Sequence, residues 1–468
     1  MGMPSVEQGT VRAELTKLFL AASAAAAQRL RDLGLTLTVP VTQQVITRDS
    51  SNLGQWQRTS RQVEQNILTN ENFALYRYAP LLNPEVAALA SQCAAQLVKM
   101  EGAILPFFAP VGSTNGWMLA TTSDSAPPNV DYAVDAATWT ERHVLLPALL
   151  EHLKALASLD AANVDNAASF ADEVISFTQS NRLSYTTTIP IAGIAIATSR
   201  NKGFSADGVR LYPLSAEEQG KLYEEWGVGV VSLNPFQPLP SVALEIEVLT
   251  GRNSQNPDMR EQVAKWLCAL QLNGYTISGR TAHFEPSPRW FMPMSGHGPL
   301  SLPSMVVEWQ RVTPAAFERL KTTAVQLKKY NIIEPRSARD FALHRFSAGA
   351  SRQNSADALV DFVVALESLL LPYDPNTRHG DLGYRFRMHG AYYLSRTKTK
   401  NSRVEVFKQL RDLYGLRSGL VHGGDYPSPS AIEAGRTVAG ALARRGLLRA
   451  LSEGYPKPET FNAMLLGA

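Results

Sequence analysis

Cysteine is scarce in this chain: only Cys93 and Cys268 occur in 468 residues, far apart and without Cys-x-x-Cys spacing. That excludes a disulfide framework and a cysteine-based zinc site, and it fits a reducing compartment. Long apolar runs are missing too. The run that starts at Leu18 is Ala-rich and short, with Lys17 before it and Arg29 and Arg31 after it. It reads as an amphipathic helix rather than an export signal or a membrane span, so a soluble, cytoplasmic protein with no membrane partner is expected. There is no internal repeat and no low-complexity tail. His143, His152, His283, His297 and His344 show no metal-ligand spacing, and no metal or other cofactor is expected.

A strong overall charge is also absent. The net value is +3, which by itself says nothing about nucleic acid. The distribution says more: residues 336–454 hold 18 Lys and Arg against 11 Asp and Glu, while residues 1–335 hold 26 against 30. The basic part is therefore the C-terminal third.

What is present is a chain long enough for two or three domains, with 45% apolar residues to build their cores. The expected fold class is α+β: an N-terminal mixed α/β region followed by an all-α helical bundle. Residues 10–34, 83–101 and 136–160 read as helices. Tyr185–Ala197 and Val242–Leu249 read as strands, the second alternating Glu245 and Glu247 with Leu244, Ile246 and Val248. Asn256-Pro257 marks the start of a helix over 258–270, and Val306–Val312 reads as a further strand. Loops rich in Pro, Ser and Asn are expected at 121–130, 233–241 and 285–304.

From Thr313-Pro314 onward the pattern is helical: 313–330, 337–349, 354–371, 381–396, 402–422 and 430–453, with short breaks suited to an antiparallel bundle. The division expected is 1–312, with a possible internal break near 165–185, then 313–455, then a C-terminal tail over 456–468.

The densest chemistry lies in Tyr414-Gly-Leu-Arg-Ser-Gly-Leu-Val-His-Gly-Gly. Arg417 stands three residues past Tyr414 and four past Leu413, on or beside the apolar stripe of its helix. A charge there needs a carboxylate, a symmetry mate or a bound anion, and Glu367 is the carboxylate expected to face it. His422 lies over Ser418 and Gly419, with Gly415 a further turn back. Two glycines inside a helix cost about 1 kcal/mol each relative to alanine, which implies close approach of another backbone or a nucleic-acid strand; fraying or a kink at Gly415 is the other reading. Arginine can hold a phosphate bidentately and histidine can move a proton near neutral pH. Together they suffice for transesterification of RNA without a metal. A structural pair with no chemistry is the competing reading of the same spacing.

Three spaced motifs carry a resemblance. Val364-Ala-Leu-Glu-Ser-Leu-Leu, Gly383-Tyr-Arg-Phe-Arg and Leu413-Tyr-Gly-Leu-Arg-Ser-Gly-Leu-Val-His-Gly are similar to the Apea-like branch of the HEPN superfamily, over roughly residues 313–455. The resemblance implies a helical bundle that pairs as a homodimer, with the Arg and His of both copies forming one metal-independent endoribonuclease site. Arg417 would hold and polarise the scissile phosphate, and His422 would transfer the proton. Ser418 departs from the Asn, Asp or His that follows the Arg in many nuclease members, and would hydrogen-bond the His or the phosphate. Arg385, Arg387 and Tyr414 are the candidate RNA contacts. The branch is associated with bacterial anti-phage defence, abortive infection and toxins, which would give the N-terminal region a sensing or restraining role toward a phage-derived trigger. Ile189–Ile196 and Leu211–Glu218 are loosely similar to the accompanying region of such proteins.

Two other readings stay open on the same residues. One is a non-catalytic dimerisation or RNA-binding module in which Arg417 closes an ion pair with Glu367. The other is an antitoxin-like partner of a nucleotidyltransferase, with the loop at His422 as a modification target. His379 and His389 could line the same cleft, though structural roles are the default. Arg444, Arg445 and Arg449 read as a solvated basic face, and Trp290-Phe291 as a core or capping pair that could instead form a recognition patch.

Overall fold

The computed structural model describes residues 6–34, 38–48, 56–66, 83–100, 136–156, 162–180, 182–197, 203–219, 240–251, 259–279, 281–288, 290–291, 296–299, 309–372, 382–395, 399–422 and 426–466. The chain is α+β: helices, then an antiparallel sheet, then a helical C-terminal region.

The first core is helical. Helix α1 (Val6–Asp32) is Ala-rich, and Val11, Leu15, Leu18, Phe19, Ala22, Ala26 and Leu30 form its buried stripe. It packs with α2 (Pro84–Lys99), α3 (136–155) and α4 (Val164–Gln179). Helix α3 is continuous in direction but not in winding: Ala136–Thr140 and Leu146–Ala155 flank a π-helical turn at Glu141–Leu145. Its end at Ala155 agrees with the pattern, whereas the π turn left no sign in it. Helices α2 and α4 start where side chains satisfy free backbone N–H groups: Asn83 Oδ1 accepts from Val86 at 2.8 Å, and Asn163 Oδ1 accepts from Asn166 at 2.8 Å. Trp290 and Phe291 are buried in this core against Phe177 and are not a surface patch.

Strands β1 (Thr38–Arg48) and β2 (Trp56–Asn66) form a separate antiparallel hairpin. The main sheet contains β3 (Arg182–Ile191), β5 (Phe204–Ala206), β6 (Val209–Pro213), β7 (Val242–Gly251), β8 (Thr281–Ser287) and β9 (Gly296–Pro299), in the order β5-β6-β7-β3-β8-β9. The single long strand expected from Tyr185 to Ala197 is two. Gly193, at φ 94, lets the chain leave the sheet after β3, and β4 (Ile194–Ile196) then pairs in parallel with β10 (Gln310–Val312). Helix α5 (Met259–Leu272) covers the sheet through Val263, Leu267 and Leu270. The end of β8 and all of β9 occupy part of the expected 285–304 loop, because antiparallel pairing, of β8 with β3 and β9 and of β9 with β8, satisfies backbone that reads as irregular in isolation. The expected loop at 121–130 lies outside the described residues, as does the first part of the strand expected at 306–312.

Helix α6 (Pro314–Leu327) opens on Thr313, whose hydroxyl accepts from the Ala316 N–H at 3.2 Å, with Pro314 in the first turn. It divides its faces: Ala316, Phe317 and Leu320 join the sheet core, Ala324 and Leu327 the helical one. Helix α5 does the same, giving Cys268, Ala269 and Leu272 to the helical core. Then come α7 (Ala338–Ser351), α8 (Ser355–Leu370), α9 (Leu382–Tyr393), α10 (Lys400–His422) and α11 (Pro429–Glu453). Helix α8 is central, and its stripe of Leu359, Phe362, Val363, Leu366 and Leu370 is fully in the core as the periodicity predicts. Asp361 is buried on another side of the same helix, at 4% side-chain exposure, held by Arg345 at 3.0 Å and Arg352 at 3.1 Å. Helices α9 and α10 run antiparallel and close: a side chain on Gly390 would start 2.1 Å from a Leu410 methyl. The segment expected as a tail contains α12 (Pro458–Leu466), whose Phe461 is buried and stacks on His389 with ring centroids 4.1 Å apart. Among the described residues, no helix is long and apolar enough to cross a membrane.

Candidate active site

Helix α10 places Arg417, Ser418 and His422 in its last turns. Leu413 is buried, and Leu416 packs into the space left by Gly435 of α11 beside Leu359. That fixes the helix rotation and sends Arg417 toward α8. Its Nη2 lies 3.8 Å from Glu367 Oε2, the partner expected from the register, with side-chain exposures of 24% and 22%.

The pairing is loose. A separation of 3.8 Å is beyond hydrogen-bond range, no hydrogen bond from the guanidinium exists among the described residues, and its Nε is buried without a partner. Burial pushes the Glu367 carboxyl above the usual carboxylate range, and the Arg417 charge only partly offsets that. A half-buried guanidinium has five donors to satisfy, so this one is short of acceptors. What it could take up is a bidentate oxyanion such as a phosphate.

His422 ends the helix and is exposed. Five residues separate it from Arg417 along the helix, which is a rotation of about 140° and a rise of about 7.5 Å. Within one chain the two side chains therefore leave on different faces. His422 shares its face with Gly415, Ser418 and Gly419, and about three and four turns back with Arg411 and Lys408. Lys408, Arg411, Gly415 and His422 are exposed, and Ser418 and Gly419 half-buried. A Cβ added to Gly415 would meet nothing within 4 Å, so the close approach expected at this glycine has no partner among the described residues of one chain. The helix does not fray there: it is continuous from Lys400 to His422. Ser418 makes no hydrogen bond among the described residues.

The candidate RNA contacts separate. Arg387 is spent on packing, donating from Nε to the Gly383 carbonyl at 2.9 Å and lying over the rings of Phe407 (5.3 Å) and Tyr384 (5.9 Å). Tyr414 is half-buried between Gly383 and Phe386, with ring centroids 6.0 Å apart. Arg385 is half-buried beside His389. His389 is buried, with Nδ1 2.7 Å from the Leu370 carbonyl, and burial lowers its pKa. It is a packing residue rather than a cleft residue, and His379 lies outside the described residues. Arg445 and Arg449 each donate to a carbonyl at the end of α9, Leu394 and Tyr393, at 2.8 Å, so part of the expected solvated face joins α11 to α9.

The sequence reading missed two features. Lys408 and Arg411 were passed over, although their spacing from Gly415 and His422 puts them on one face. The Asp361 clamp was also missed, and a lone aspartate inside the apolar run 358–366 was its signal. Among the described residues, no group of three or more His, Cys, Asp or Glu is placed to hold a metal ion. No protein-family model, no curated protein and no solved structure matches the chain.

Proposed function

We propose that the protein is an RNA-cleaving effector acting as a pair of copies, of the kind used in anti-phage defence or as a toxin. The observation that carries this reading is the state of Arg417: half-buried, with an unpartnered Nε and a carboxylate held off at 3.8 Å. Such a group is poised to exchange Glu367 for a phosphate. Arg417 and His422 leave one helix about 140° apart, and in this reading the proton carrier facing a given arginine comes from a second copy. The exposed face of Lys408, Arg411 and His422, relieved of bulk at Gly415, supplies charge and room for a strand. The motif resemblance to HEPN ribonucleases supports the same chemistry.

In this reading the RNA 2′-hydroxyl gives up its proton and its oxygen attacks the adjacent phosphorus. Arg417 bears the developing charge. The bond to the 5′-oxygen breaks, that oxygen is protonated, and a 2′,3′-cyclic phosphate remains. His422 moves the protons, a role worth about 10²–10⁴-fold in rate. The test is incubation of purified protein with end-labelled RNA in EDTA, beside Arg417→Ala and His422→Ala. Cleavage to cyclic-phosphate ends, lost by about 100-fold or more in each variant while the oligomer persists in sedimentation, is the expected result. Full cleavage by both variants refutes it.

The Glu367 contact favours a second reading, a non-catalytic dimerisation or RNA-binding module with Arg417 as an internal tie. In that case Arg417→Ala lowers the melting temperature, wild type shows no turnover, and RNA affinity follows Lys408 and Arg411.

A further inference from the structure

A cavity of about 290 Å³ lies between the β5–β6–β7 edge of the sheet and helices α5 and α6, far in sequence from Arg417 and His422. Its apolar floor is Val209, Ile246 and Val248, all buried. Val325, an exposed apolar residue, belongs to its lining as well. Between them stand three ammonium groups, Lys265, Lys321 and Lys328, and the indole of Trp266.

The charges do not cancel locally. Glu247 belongs to the lining, but its carboxylate accepts from the Ser184 hydroxyl at 2.9 Å, on the sheet face opposite Ile246 and Val248. Asp207, in the two-residue turn between β5 and β6 at φ 51, reaches Lys321 at 3.6 Å and is 68% exposed. Lys265 is nearly buried and donates to the Lys328 carbonyl at 3.1 Å; Glu261 stands 3.9 Å off. That carboxylate is shared with the N–H groups of Ile332 (2.5 Å) and Ile333 (2.9 Å). Lys265 is thus tied down within the wall, Lys321 has one exposed aspartate beside it, and Lys328 has no carboxylate partner among the described residues.

The geometry points to a binding site for a small organic phosphate of about mononucleotide size, its phosphate taken by Lys321 and Lys328 and its flat apolar part by Trp266. Lysines as point charges suit a phosphate, and an apolar cleft with few polar groups suits an organic body. The volume is at the lower end of ligand cavities, which favours one nucleotide over a dinucleotide. An occupant rests on α5 and α6, whose opposite faces belong to the bundle core. This site is independent of the ribonuclease reading, because the readout is binding alone.

The experiment is calorimetric titration of the full chain with AMP, GMP, CMP, UMP, ribose 5-phosphate and inorganic phosphate. At least one nucleoside monophosphate binds saturably, about tenfold or more tightly than inorganic phosphate. Lys321→Gln with Lys328→Gln weakens it about tenfold or more without changing the melting temperature of the free protein. Trp266→Leu weakens the nucleotide and leaves ribose 5-phosphate unchanged. Absence of saturable binding by every compound at millimolar concentration overturns the proposal, as does equal affinity in the double variant. Inorganic phosphate binding as tightly as the nucleotides overturns the assignment of the apolar half.

Discussion

Protonating His152 should unfasten the N-terminal helical core. Its ring is fully buried between Phe19 and Phe170, with centroids 5.1 Å and 5.0 Å away. Ser23 Oγ lies 3.2 Å from Nε2, and Nδ1 is buried without a partner. No carboxylate pairs with the ring among the described residues, and burial pushes the pKa down to about 4 from an ordinary 6.5. Between those values the unfolded chain takes up a proton that the folded chain refuses. Stability is therefore full above pH 6.5, falls as the pH drops, and levels off below about 4. The whole effect is about 3 kcal/mol, of which about 2 kcal/mol is lost between pH 7 and pH 5. The measurement is urea unfolding across that range for wild type and His152→Gln, using helical signal from the transition that carries this core. The glutamine cannot titrate, so subtracting its curve removes the contributions of His389 and of the carboxylates. A wild-type minus variant difference that stays flat from pH 7 to pH 5 refutes the reasoning, and so does a His152 ring that titrates near 6.5 in the folded protein.

Other outcomes follow from packing. Asp361→Ala removes the buried carboxylate shared by Arg345 and Arg352, whose guanidiniums reach water, and should cost about 1–3 kcal/mol, read as a drop in the urea midpoint. Gly390→Ala drives a methyl against Leu410 and toward Leu370, 3.1 Å away, and should destabilise by about 1–3 kcal/mol by the same assay. Gly415→Ala meets nothing among the described residues and should stabilise the chain by up to about 1 kcal/mol. If two copies close over this glycine, the same change lowers RNA cleavage while the melting temperature rises; unchanged cleavage removes Gly415 from the interface.

Local signals carried most of the helical part into view. Thr313-Pro314 and the α8 stripe each combine a cap or a period with a core face, and such information lies within a few residues. The Arg417–Glu367 contact was legible for the same reason, since the α10 register left the arginine beside apolar neighbours. The sheet was less so. The β5–β6 hairpin turns at Asp207-Gly208, a strong two-residue turn signal, but its strands are three and five residues long and show little alternation. The parallel pairing of β4 with β10 joins residues more than a hundred positions apart, and no local pattern encodes it. The lysine-lined cavity was invisible in the sequence because α5 and α6 supply its charges from separate segments. Legible features were those that a cap or a helical period encodes within one element.

Helices α5 and α6 also decide where this chain can be cut. Each is apolar on two sides, so the boundary between sheet and bundle runs along their axes and not through a connecting loop. A fragment beginning at residue 313 would keep α6 with Ala316, Phe317 and Leu320 stripped of their sheet, and would lose the α5 residues Cys268, Ala269 and Leu272 that complete the bundle core. A fragment ending there would bare the opposite surfaces. The bundle is therefore not a transplantable module at that boundary, and the smallest piece expected to fold with an intact bundle core begins before Met259.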